Sequence, residues 1–322
     1  MKSIAFFNNK GGVGKTTLVY HLAWMMALKG QKVMAVDLDP QANLSSMFLQ
    51  DETLEEIWPT QQPHKSILAS IEPVMEELGD IQPVHTQKIT ENLHLIAGDL
   101  GLSLFEDKLS DSWPKCLAEE KPAFRAMSSF YRIMRIAAEE TGAEILLIDV
   151  GPNLGTINRA ALIAAEHIVM PLAPGLFSLQ GLKNLGPMLS RWRKGWMQRL
   201  EKKPDDLSIP MPSGKMKPAG YIIMQHAERR NRPVKAYQRW VEKIPQTYRE
   251  YILNSKEEKS ISHEIGLIKN YQSLMPLAQD ARKPIFLLKP AEGAIGAHAQ
   301  MVQKCYKDFE QLSESILNRT SN

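Results

Sequence analysis

Residues 4–17 read Ile-Ala-Phe-Phe-Asn-Asn-Lys-Gly-Gly-Val-Gly-Lys-Thr-Thr, and the way this stretch divides decides the fold. An apolar run ends at Asn9, a glycine-rich turn follows over 10–14, and helix-forming residues begin at Lys15. Strand, turn and helix in that order are the setting in which a G-x-x-x-x-G-K-[ST] loop binds phosphate. The strict pattern wants glycine at position 9. This chain has Asn9 followed by Lys10, a second lysine at the loop entrance. The backbone N–H groups of Gly11, Gly12, Val13, Gly14, Lys15, Thr16 and Thr17 can converge on phosphate oxygens, with the helix N-terminus adding a favourable dipole. Lys15 is placed to reach β- and γ-phosphates and Thr16 to offer its hydroxyl to Mg²⁺.

Outward from this loop, short apolar runs alternate with helix-period segments. KSIAFF, KVMAVDLD, LHLIAG, EILLIDV, HIVMPLA and AGYIIM read as strands, with PIFLL a weaker seventh. Between them, 16–28, 123–140, 156–165, 178–200 and 233–252 have helical spacing or composition, the first as an amphipathic helix. The pattern predicts an α/β fold, a doubly wound and mostly parallel sheet with helices on both faces. At 322 residues and 43% hydrophobic content, the expected organisation is a single domain over 1–322. An irregular insertion with short helices is expected at about 50–90, where four prolines interrupt, and an exposed connection over 201–218.

Composition narrows the function classes. The chain opens directly on an apolar strand with no basic leader, and no apolar run approaches the length needed to span a bilayer, so a cytoplasmic location is expected. Cys116 and Cys305 are too few and too far apart for a disulfide framework or a zinc site. His21, His94 and His263 have no partners at metal-ligand spacing and read as surface or core residues. Net charge is only +3, but residues 183–239 hold 14 Lys/Arg against 4 Asp/Glu, a local +10 that leaves −7 for the rest.

Two aspartate segments join the loop. VDLDPQAN puts Asp37 and Asp39 at the carboxyl end of the second strand, the edge where open α/β sheets bind ligands. ILLIDVGPN does the same for Asp149, suited to hold magnesium through a water. Together KGGVGKTT, VDLDPQAN and IDVGPNLG resemble the signature segments of the ParA/MinD group of deviant Walker A P-loop ATPases, with the ParA branch nearest. PLAPGLFSLQGLKNL and KPIFLLKPAEGAIGAHAQ extend the resemblance across most of the chain.

That resemblance implies an Mg²⁺-dependent ATPase that forms a homodimer around ATP. Lys10 would reach across the interface to the partner's phosphates, because a phosphate cluster between two protomers needs cations from both sides. Asp39 would orient the attacking water. Asp37 would support Lys15 and, through water, the metal shell. ParA-like dimers bind DNA without sequence preference through basic residues of the C-terminal half, which here points to Arg191 and Lys194 on one helix and to Arg229, Arg230, Arg232 and Lys235 after the sixth strand. A ParB-like or other adaptor that stimulates hydrolysis is the implied protein partner. The final helix lacks the lysine-rich apolar face of a membrane anchor, so no membrane partner is expected. The implied role is partition or positioning of plasmid, chromosome or other cargo. A regulatory ATPase that recruits a protein, with DNA incidental, stands as the alternative. A metabolic enzyme of the wider superfamily would need a substrate-binding set or cluster cysteines that two cysteines do not provide.

Overall fold

The computed structural model describes residues 1–58, 65–224, 234–255 and 262–321. Its centre is an eight-stranded sheet: β1 (Lys2–Phe6), β2 (Val33–Leu38), β3 (Thr86–Thr90), β4 (Leu93–Ile96), β5 (Ile145–Val150), β6 (His167–Leu172), β7 (Lys217–Met224) and β8 (Glu264–Ile268). The order is β3-β4-β2-β5-β1-β6-β7-β8, and every pairing is parallel except β3 with β4. The alternation of side chains along a strand sends Ala5 and Phe7, Met34 and Val36, Leu146 and Ile148 into one core. Their neighbours Ile4 and Phe6, Val33 and Ala35, Ile145 and Leu147 enter a second core on the other face. Both faces are therefore covered, which is why the strands read as continuous apolar runs.

All six stronger strand expectations are met. PIFLL is not a strand: Ile285–Leu287 is a short 3₁₀ turn, and the eighth position belongs to Glu264–Ile268. Between 50 and 90 the described residues form helices Asp51–Ile57 and Ile67–Met75 and the antiparallel edge strand β3. That strand is half-exposed and polar, TQKIT, so it carries none of the apolar signal that marked the others.

One helix differs from expectation. Lys15–Leu28 is not amphipathic but buried nearly all round, because Ala297–Arg319 and Asn43–Phe48 pack over the side turned away from the sheet. Leu176–Leu200 runs unbroken through Gly186 and Pro187. Gly186 is where the Tyr248–Ile252 turn crosses it: a Cβ there would lie 1.7 Å from the Tyr251 carbonyl oxygen. On the same helix Leu182, Leu185, Leu189, Trp192 and Trp196 are buried. Arg199 is buried too, its guanidinium 3.7 Å from the Trp113 ring centre. The segment 201–216 packs as well as it connects, with Leu207, Pro212, Gly214 and Met216 buried.

Candidate nucleotide site

The site forms at the carboxyl edge of β1, β2 and β5, and strand register assembles it. Phe6 pairs with Asp149, and Asp37 pairs with Asp149, so carboxylates 112 positions apart in sequence become neighbours on adjacent strands. After β1 the chain turns through Gly12 and Gly14, at φ of 70° and 85°, and Gly14 caps the Lys15–Leu28 helix in the left-handed conformation. A side chain at either position would strain the turn that aims the helix N-terminus into the crevice.

Lys15 is 6% exposed, and its ammonium donates to Asp149 Oδ1 at 2.5 Å. Asp149 is fully buried; burial pushes its pKa up, opposed by the adjacent Lys15 charge. Its other oxygen, Oδ2, makes no hydrogen bond of good geometry, although the Thr16 hydroxyl is close enough to favour its charge. Asp37 accepts from the Ser45 amide at 2.8 Å, the Ser45 hydroxyl at 2.7 Å and the Asp39 amide at 3.3 Å. Burial, then the charge of Asp149, pushes its pKa up to about 7. Asp39 is buried and accepts the Gln41 amide at 3.0 Å. The three aspartates and Lys15 thus lie together at one end of the sheet, and each carboxylate keeps a different environment.

Lys10 stands apart. It is exposed, and its ammonium lies 5.9 Å from the ring centre of Phe177, itself 75% exposed. The loop beneath it is tied down by Asn8, which the sequence reading passed over. Asn8 Nδ2 donates to the Pro171 carbonyl at 2.5 Å while its Oδ1 accepts the Lys10 amide at 3.1 Å. Two further residues were missed. Glu106 receives the Thr156 and Ile157 amides at 2.5 and 3.0 Å, capping the helix that follows the Asp149 loop. Asn158 donates to the carbonyls of Gly151 and Asn153, both at 2.8 Å, and freezes that loop beside Asp39 and Gly11. Neither has a motif of its own: Glu106 acts across 50 positions of sequence, and Asn158 ties down its own loop five and seven positions back.

Next to the P-loop, Gly14, Thr17 and His21 with Met224, Asn270 and Ile285 line a cleft of about 160 Å³. His21 fixes one wall: Nδ1 donates to the Thr17 carbonyl at 2.7 Å and Nε2 accepts the Ile285 amide at 3.1 Å.

Comparisons with known proteins bear on the family and the fold. A family profile described as an AAA domain matches residues 1–202. The chain belongs to the ParA-type P-loop ATPases. Chromosome-partitioning ATPase Soj of Treponema pallidum is 29% identical over 60% of this chain and 66% of its own length. A virulence-plasmid ParA family protein of Chlamydia psittaci is 24% identical over 94% of this chain and 99% of its own length. An ATP complex of Cyanothece McdA superposes with a TM-score of 0.64 at 15% identity, covering 99% of this chain and 96% of that one, a likeness of fold alone. The match spans less than half of some relatives: 44% of a putative replication protein A of Rhizobium rhizogenes and 42% of that of Sinorhizobium fredii.

Of the candidate DNA contacts, Arg191 and Lys194 are exposed on the Leu176–Leu200 helix. Arg229, Arg230 and Arg232 lie outside the described residues, and Lys235 falls in the helix Val234–Val241. Among the described residues no helix is long and apolar enough to cross a membrane.

Proposed function

We propose that the protein is an ATP-hydrolysing switch that dimerises around ATP, binds DNA without sequence preference in that state, and serves partition or positioning of cargo. The observation that carries this reading is the division of labour between two lysines of one loop. Lys15 is buried against Asp149 in its own phosphate site, whereas Lys10 is exposed beside the exposed Phe177. A cation that served only its own subunit's phosphates would gain nothing from an apolar, solvent-facing surround. One that crosses to a second copy would be buried there.

Within a protomer, the loop amides and Lys15 would take the phosphates, and the cleft beside His21 would take the base. Among the described residues no set of three or more His, Cys, Asp or Glu side chains could hold a metal unaided. That fits Mg²⁺, which takes one or two protein groups and fills its shell from phosphate and water. Thr16 and the underused Asp149 Oδ2 are the groups that would hold it, with Asp37 behind them. Once bound, the ion would neutralise charge that develops on the transferring phosphoryl group. Asp39 would position the attacking water, and Asn158 and Glu106 would keep the facing loop in place.

Sedimentation of the protein with plasmid DNA under ATP, ADP and no nucleotide tests the reading. Co-sedimentation with ATP alone is expected. A protein that dimerises with ATP yet never pellets with DNA would instead be a switch that recruits another protein.

A further inference from the structure

At the sheet edge opposite the P-loop, where β7 begins, a groove of about 740 Å³ runs between the Leu176–Leu200 helix and residues 213–218. Met197, Leu200 and Pro218 supply apolar lining, and Arg193, Lys215, Lys217 and Glu201 supply charge. Three ties set its shape without any ligand. Trp196 is fully buried behind it and donates Nε1–H to the Pro212 carbonyl at 2.9 Å. Gly214, at φ 62°, lies so close to Trp196 that a Cβ would sit 2.2 Å from Cδ1. Arg193 donates to the carbonyls of Lys215 at 2.8 Å and Met216 at 2.7 Å. A groove held open in this way loses little entropy when it is filled.

Its charge is lopsided. Arg193 and Lys215 make no ion pair among the described residues, and Glu201 is the one acid of the lining. Helical spacing extends the cationic side, since Lys194 is one turn before Met197 and Arg191 is one turn before Lys194, both exposed. Met197 is 54% exposed in the middle. A DNA backbone would press phosphates onto this apolar floor, which wastes both surfaces. A protein segment with an apolar side chain between carboxylates would satisfy them together. We propose that this groove docks a short acidic segment of a partner protein, with one Leu, Met or Phe seated on Met197 and Leu200 and flanking Asp or Glu residues on the basic rim. The inference is independent of the ATP site, which lies at the other edge of the sheet.

The test is selection of a random peptide library on the full chain, with Met197→Glu as the counter-selection target, followed by anisotropy measurements on a synthesised winner. Winners are expected to place Asp or Glu around a large apolar residue, to bind more weakly as salt rises, and to lose at least about tenfold in Kd with either Met197→Glu or Lys215→Glu. Both substituted side chains are exposed, so unchanged thermal melting shows that the fold is intact. Three results would overturn the proposal: no peptide that distinguishes parent from Met197→Glu, winners that are neutral or basic, or binding indifferent to Lys215→Glu. If both variants weaken plasmid binding under ATP and leave peptide binding unchanged, the rim is a DNA contact and the proposal also fails.

Discussion

The ammonium of Lys15 lies 2.5 Å from Asp149 Oδ1, and both groups are withdrawn from water. The lysine proposed to take the phosphates is therefore held at its post by the carboxylate proposed to help hold the metal ion. Each group compensates the other's burial. Removing Lys15 leaves a buried carboxylate with one fewer donor.

Lys15→Ala is accordingly expected to weaken ATP binding by about 2–5 kcal/mol, roughly thirty-fold or more. Asp149, without its cation, is expected to titrate higher still, so the variant should lose stability as pH rises. Calorimetric titration with ATP checks the first effect. Near-parental affinity would remove the P-loop assignment.

Lys10→Ala touches an exposed side chain and should leave the monomer's fold and ATP affinity close to parental. Dimerisation with a non-hydrolysable analogue should be lost and turnover should fall by about 100- to 1000-fold, the usual cost of one charge-stabilising donor. Sizing chromatography with the analogue decides. A full dimer would show that Lys10 does not act across the interface.

Asp39→Ala should keep ATP bound while removing the group proposed to orient water, with a drop in kcat of about 10²- to 10⁴-fold. The expected product is a long-lived ATP-bound dimer with little phosphate release. Parental turnover would transfer the role to Asp37, which sits one residue pair away on the same strand end.

His21 gives a pH signature. Burial lowers its pKa from 6.5 to about 4, partly offset by its bond to the Thr17 carbonyl. The unfolded chain thus binds a proton between these values that the native state refuses. Stability is full above the unfolded pKa and falls as pH drops through this window, by at most about 1.4 kcal/mol per pH unit. His21→Phe should be less stable at neutral pH, having lost two hydrogen bonds, but should show a shallower decline toward pH 4. Urea midpoints measured across the window check the slope, and parallel curves would exclude His21 as the titrating group.

For the basic segment, a triple alanine variant at Arg229, Arg230 and Arg232 should weaken DNA binding alike for all sequences. It should also flatten the fall of log K with log salt by about 0.9 per lost phosphate contact. ATP-dependent dimerisation and basal hydrolysis should be unchanged. An unaltered affinity and slope would place the contacts elsewhere, with Arg191 and Lys194 next to test.

What the sequence determined by itself was everything encoded locally. KGGVGKTT specifies a left-handed glycine turn into a helix N-terminus, and apolar runs ending in Asp37, Asp39 and Asp149 specify buried parallel strands with carboxylates at their ends. Strand register then decided that Asp37 and Asp149 face the same crevice, a fact about pairing that no spacing in the chain reports. Tertiary structure alone also decided that the Lys15–Leu28 helix is buried nearly all round, that polar β3 is a strand, and that PIFLL is not. The same holds for Asn8 and Glu106, whose partners are 163 and 50 positions away. A side chain's hydrogen-bonding capacity is fixed by its type, but the group that meets it is chosen by the packing of two layers of helices on one sheet, and that choice is made at distances the local pattern does not contain.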